Sequence, residues 1–258
     1  MYKEKLACQG YLAETKQALL SIRFCLAIIG TFMALAIASW DSFFDIANQR
    51  FIIEKGSHNS FFLAAAKNDW FLLLSPVLCT LPYTSSFADE AKSGNIKFSL
   101  IRTNKKSYIA NKVSAVIISG GLSLLIGAML FFVCSASALF PLETVNASYK
   151  TMAFVDIGGK LITLFLFGSL FSLIGALASS LLLSAYVGYI LPFVGCYFLI
   201  ILCERYFKSI YVINPKEWII MDNFWPLGSF GVDLLILGII IFTSILFSMA
   251  LYKKIKVL

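Results

Sequence analysis

Charge, histidine and paired cysteine are scarce in this sequence. Only 14% of its 258 residues are charged, whereas a soluble globular domain carries about 25%. The polar stretches between its apolar runs are no longer than residues 204–233, too short for a separate soluble domain, which needs roughly 50 residues. His58 is the one histidine, which excludes a zinc site with several His ligands and a two-His proton relay. The six cysteines (Cys8, Cys25, Cys79, Cys134, Cys196 and Cys203) form no C-x-x-C pair, and most lie in apolar runs. They read as small buried hydrophobes and not as a disulfide or metal framework.

Two further absences bear on energy supply. A phosphate-binding loop needs G-x-x-x-x-G-K-[ST]. Gly159-Lys160 is the one Gly-Lys pair, with Leu161 after it and Phe154 where the first glycine belongs. The long apolar runs also hold no acid or base away from their ends. Buried ionisable groups mark proton relays, ion paths and voltage sensors, and intramembrane hydrolysis needs carboxylates, histidine or an activated nucleophile. The spans are therefore expected to bury no charge, which leaves an ion-coupled transporter, a channel with charged rings and an intramembrane enzyme without their chemistry.

Apolar sequence is abundant: 59% hydrophobic, with a mean hydropathy of +0.85. Residues 24–40, 70–88, 113–142, 161–203 and 234–252 are free of Asp, Glu, Lys and Arg. A membrane-spanning helix needs about 20 apolar residues, so the fourth interval holds two spans, with Ser179, Ser180 and Ser184 marking the turn. The expectation is an all-α integral membrane protein with six spans, at about 22–40, 68–88, 110–140, 160–180, 184–204 and 232–252. Ala36-Ile37-Ala38 before Ser39 resembles a signal-peptidase site, but residues 22–40 are expected to remain as the first span. Residues 1–21 mix charges with Leu6, Leu12, Leu19 and Leu20 and read as an interfacial helix.

An even number of spans puts both termini on one side. Residues 1–23, 89–112 and 253–258 together hold 13 of the 21 Lys and Arg and four of the 14 acids, and the positive-inside bias makes that side cytoplasmic. The net charge of +7 is explained by this bias, so no nucleic acid is expected as a partner; the lipid bilayer is. A multi-pass protein of the cell membrane with both termini cytoplasmic follows. The outer loops are expected near 41–69, 143–160 and 204–233. The last is rich in aromatics (Tyr206, Phe207, Tyr211, Trp218, Phe224, Trp225 and Phe230), which suits an interfacial belt or a lid over an exit path. Asn146-Ala147-Ser148 is an N-x-S triplet of the kind that arises by chance.

Two more features concern helix packing. Gly168, Ser172, Gly175, Ala176 and Ser179 share one helix face and allow close packing inside the bundle. Gly188, Pro192 and Gly195 make a weak point, where Pro192 frees a carbonyl and permits a kink.

The polar centre of the chain, DEAKSGNIKFSLIRTNKKSYIANK at 89–112, holds six bases and two acids. Ile96 to Ile101 suits a brief amphipathic helix, with Ile96 and Leu100 four apart and Phe98 and Ile101 three apart. Gly94 breaks or bends the chain ahead of it. Read alone, the stretch is either a topology-fixing basic loop or a docking surface.

This stretch resembles the inner loop of ABC type-2 transporter permeases, the membrane subunits of many ABC exporters. Glu90-Ala91-Lys92-Ser93-Gly94 matches their acidic-x-x-x-Gly, Arg102 follows, and Tyr108-Ile109-Ala110-Asn111-Lys112 supplies a Tyr with a Lys four residues on. The number of spans, the interfacial amino-terminal segment and the larger last outer loop add an architectural likeness. The resemblance implies a coupling helix between spans two and three that docks on a separate ATP-hydrolysing subunit. It also implies a second permease subunit, the same or related, and ATP and Mg held on the partner, with no cofactor in this chain. Glu90 and Gly94 would transmit motion, Arg102 would position the loop, and Tyr108 and Lys112 would anchor it by snorkelling. The substrate class implied is amphipathic or hydrophobic; the narrower likeness is to bacterial systems that export or resist antimicrobial peptides. A non-transporting membrane scaffold or sensor is the alternative that the residues leave open.

Overall fold

In a computed structural model of the chain, the described residues are 2–48, 53–54, 57–144, 152–207, 210–221, 225 and 227–257; side chains are described for these apart from 2–9, 45–48, 53–54, 102, 142–144, 152–155 and 257. The chain is helical almost throughout. In order run α1 (Tyr2–Leu19), α2 (Ile22–Ala38), α3 (Trp40–Asn48), α4 (Ser57–Ala66), α5 (Asp69–Leu78), α6 (Ser86–Ser93), α7 (Ile96–Arg102), α8 (Lys105–Leu139), α9 (Met152–Leu182), α10 (Ala185–Arg205), α11 (Pro215–Ile220) and α12 (Ser229–Val257). A two-residue parallel pairing of β1 (Ile53–Glu54) with β2 (Glu143–Thr144) is the extended element among the described residues. The triplet at Asn146 and the aromatic Phe224 lie outside them.

Among the described residues, four helices are long and apolar enough to cross a membrane: α8, α9 from Asp156, α10 and α12. Two bent pairs raise the number to six if each pair is one span: α1 with α2, bent by 48°, and α4 with α5, bent by 64°. The first bend falls at Leu20-Ser21, where the Ser21 hydroxyl accepts the Phe24 amide and caps α2, satisfying one of the orphan donors of a helix start.

The second apolar interval departs from the straight span at 68–88 that charge counting suggests. A helix covers only Asp69–Leu78, followed by turns to Ser85 and then by α6. Prolines explain the departure. Pro76 has no amide to give the Leu72 carbonyl, and the Ser75 hydroxyl donates to that carbonyl instead, at 3.0 Å. Pro82 falls within the turns, and the Thr84 hydroxyl donates to the Thr80 carbonyl. The Ser75 hydroxyl thereby satisfies the carbonyl that Pro76 leaves without its amide partner.

α9 is the centre of the bundle. Of its apolar window 72% is buried, against 22% for α10 and 28% for α12, whose outward faces carry Ile190, Phe198, Ile241 and Phe242. Small residues let α9 sit there, as the sequence suggests. A Cβ on Gly120 of α8 would lie 2.3 Å from the Ser172 Cβ of α9, so only glycine permits this approach. Farther along α9, Gly175 and Ser179 meet Gly188 of α10. The same stripe therefore serves two neighbours in turn. α10 continues through Pro192, which packs against Gly175.

The turn between α9 and α10 is later and tighter than the three serines suggest. Ser179 and Ser180 are buried inside α9. The reversal is made at Leu183, with φ of 49°, and at Ser184.

α1 and the last turns of α12 meet the start of α8 at one end of the bundle. Gly10 of α1 lies against Asn111 and Thr103 at the start of α8, and Tyr252 and Lys253 of α12 line a groove with Lys106 of α8. α6 and α7 lie at the same end.

Candidate functional site

At that end, the first turns of α8 place Tyr108 and Lys112 four residues apart, and so on one helix face. Both are buried, and Lys112 is wholly so. This corrects the expectation that no span buries a charge and that Lys112 snorkels to the headgroups. Lys112 stays inside because counter-charges come to it. Its Nζ lies 3.1 Å from Glu14 Oε2 of α1 and within contact of Glu90 Oε1 of α6, and donates to the Tyr83 hydroxyl at 3.2 Å. An ammonium has three protons, and here each has an acceptor.

Each carboxylate also has a phenol donor. Tyr108 donates to Glu90 Oε2 at 2.6 Å, and Tyr83 donates to Glu14 Oε2. Tyr83 is the proton donor of its bond to Glu14 and the acceptor of its bond from Lys112. Five side chains from α1, the turn before α6, α6 and α8 thus satisfy one another. A fully satisfied network of this kind is rigid, whereas removing one member leaves the others buried and unpaired.

A second network abuts the first. The Ser85 hydroxyl is fully buried. It accepts from Arg23 of α2 at 2.7 Å and from Tyr189 of α10 at 3.0 Å, and donates to Asp89 Oδ2 at 2.9 Å. Arg23 also faces Asp89 at 3.5 Å. A cleft of about 440 Å³ opens here, lined by Arg23, Tyr83, Asp89, Glu90 and Asn95 among others.

Gly94 does what its position suggests. Its φ of 74° caps α6 in the left-handed region, which a side chain would strain, and it lies outside the ionic cluster. α7 follows over the expected stretch. Its Ile96 is buried, while Phe98 and Ile101 are 67% and 82% exposed. Arg102 ends α7, and its side chain lies outside those described. The cluster therefore unites Glu90, Tyr108 and Lys112 and adds Glu14 and Tyr83, which the sequence reading did not single out.

The opposite end of the bundle is built differently. α11 folds inward, burying Trp218 and Ile219, and Lys160 of α9 donates to the Ile219 carbonyl. Trp225 packs edge-on to Tyr211 at 5.2 Å. Part of the aromatic loop is thus core, while Tyr206, Phe207 and Phe230 stay exposed as a belt requires. Asp233 is buried and accepts from Thr163 at 2.8 Å. Lys216 bridges Asp69 at 3.1 Å and Glu204 at 3.4 Å. Burial pulls Lys216 down, but the bond and charge of Asp69, with those of Glu204, hold it above the ordinary lysine value.

Among the described residues no three His, Cys, Asp or Glu side chains form a metal-binding group. No family model matches the chain, and no curated protein is significantly similar to it.

Proposed function

We propose that the chain is the six-span permease subunit of an ATP-driven ABC exporter of the cell membrane, with both termini cytoplasmic. In this reading the α6–α7 segment is the coupling helix. One observation carries it. The segment turns Phe98 and Ile101 outward with no cover, while its Glu90 is bonded to Lys112 and Tyr108 of the 35-residue α8. A surface pressed by a partner is thereby tied to a long helix and, through Glu14, to α1.

Exposed apolar side chains beside bases suit a docking cleft on another protein. ATP and Mg belong to that partner, and two permease chains with two ATPases complete the machine. Glu90 holds the segment to α8, Gly94 sets the turn between the two short helices, and Arg102 positions the loop. Closure of the partner on nucleotide shifts α6–α7, and the ionic cluster passes the shift to α8 as a rigid movement. The substrate is amphipathic or hydrophobic, in keeping with apolar cavities such as the one of about 470 Å³ among α9, α10 and α12.

The test is affinity purification of the tagged full chain from its own membranes. An ATPase with Walker motifs is expected to co-purify, and Glu90→Arg is expected to abolish substrate-stimulated hydrolysis in that complex. Capture of a different partner, with no ATPase, would make the chain a scaffold or sensor.

A further inference from the structure

Beside the ionic cluster, the start of α8 and the end of α12 leave a groove of about 700 Å³. Its surface is almost wholly apolar. Small residues (Ala110, Ser248 and Ala250) form part of its lining, Ile109 and Met249 line it as well, and Lys106 and Lys253 are its charged residues. Both lysines are exposed, and among the described residues neither has an ion-pair partner. The acids of this end whose side chains are described are engaged elsewhere: Glu14 and Glu90 with Lys112, and Asp89 with Arg23. Lys105 stands exposed one residue before Lys106.

We infer that this groove seats one anionic phospholipid, with its phosphate between Lys106 and Lys253 and an acyl chain along the apolar lining. Three features select this occupant. The groove lies where two apolar helices meet their basic ends, which is the depth at which headgroup gives way to chain. A polar ligand has almost nothing to bond inside the groove, and an uncharged apolar one leaves both ammonium groups unanswered. A zwitterionic headgroup brings a quaternary amine to a site whose lining, among the described residues, holds no acid to receive it, so phosphatidylglycerol is favoured over phosphatidylcholine. Tyr252, 55% exposed and lining the groove, suits the same headgroup level.

The inference does not depend on transport. It is tested with the purified full chain, by native mass spectrometry with phosphatidylglycerol and phosphatidylcholine of identical acyl chains. The expected result is one retained phosphatidylglycerol per chain. A lysine near a charged lipid surface is worth about five-fold in binding, so Lys106→Gln with Lys253→Gln is expected to erase most of the preference. Lys16→Gln with Lys97→Gln removes the same charge from exposed sites outside the groove and is expected to leave the preference intact. Glycerol phosphate alone is expected not to displace the lipid, and Ala110→Phe, which fills the groove, is expected to release it. Equal retention of the two lipids, equal loss in both double variants, or displacement by glycerol phosphate would each overturn the site.

Discussion

Lys112 and Lys160 are the same residue type, each set near the start of a long helix and each buried. The two ends of the bundle hold them by different means. Lys112 has two carboxylates and a phenol, drawn from three separate stretches of chain. Lys160 has one backbone carbonyl in α11. A buried charge persists only when it is paired or bonded, and the two solutions differ in what they join. The first ties α1, α6 and α8 into one unit and answers the Lys112 charge with carboxylates. The second pins a loop inward and lies near Asp233, which accepts from Thr163. One end is held by a buried ionic cluster, the other by single hydrogen bonds and a partly exposed ion-pair bridge.

Substitutions can break this contrast. The largest effect is expected for Lys112→Met, which strands two largely buried carboxylates. Loss of one partner from such a group costs about 3–5 kcal/mol, readable as a fall in the thermal midpoint of the detergent-purified chain. Adding Glu14→Gln and Glu90→Gln to Lys112→Met removes the stranded charges and is expected to restore most of that stability. Tyr108→Phe removes one donor to a charged acceptor and is expected to cost about 1.5–3 kcal/mol.

Lys160→Met leaves the Ile219 carbonyl unpaired, at about 1–3 kcal/mol, and takes a positive charge away from the nearby Asp233. It is expected to loosen α11 locally, as faster hydrogen exchange there, with no change at α6. The smallest effect is that of Lys216→Gln. Its acids are exposed, and such pairs are worth below about 1 kcal/mol and fade with salt. Its pKa is raised in the folded chain, so this contribution is complete below the ordinary lysine value and is lost as pH rises through the raised one. A pH series on wild type and variant should converge at the alkaline end.

Much of this was legible from residue pattern. Four apolar helices, the break at Gly94, the short α7 and the stripe on α9 follow from spacing and composition. Counting charges placed Lys112 and Lys160 at the edges of intervals but could not say which way they point, because a side chain at a boundary can reach water or turn inward. Glu14 was invisible as a partner: 98 positions separate it from Lys112, and a single sequence offers many acids for one base. The broken second span had a local signal in Pro76 and Pro82, which counting charge-free intervals passes over. The inward fold of α11 had a local signal, Pro215 after the capping Asn214, within a stretch that read as interfacial.

In the proposed permease, the Glu14–Lys112–Glu90 cluster passes motion from the α6–α7 segment to the spans. It is tested most directly in the complex with the co-purified ATPase, by measuring substrate-stimulated ATP hydrolysis with the triple variant Glu14→Gln, Glu90→Gln and Lys112→Met. Partner binding and stability near wild type, with stimulation lost, is the result expected. Stimulation equal to wild type in a folded, partner-bound triple variant would contradict the claim.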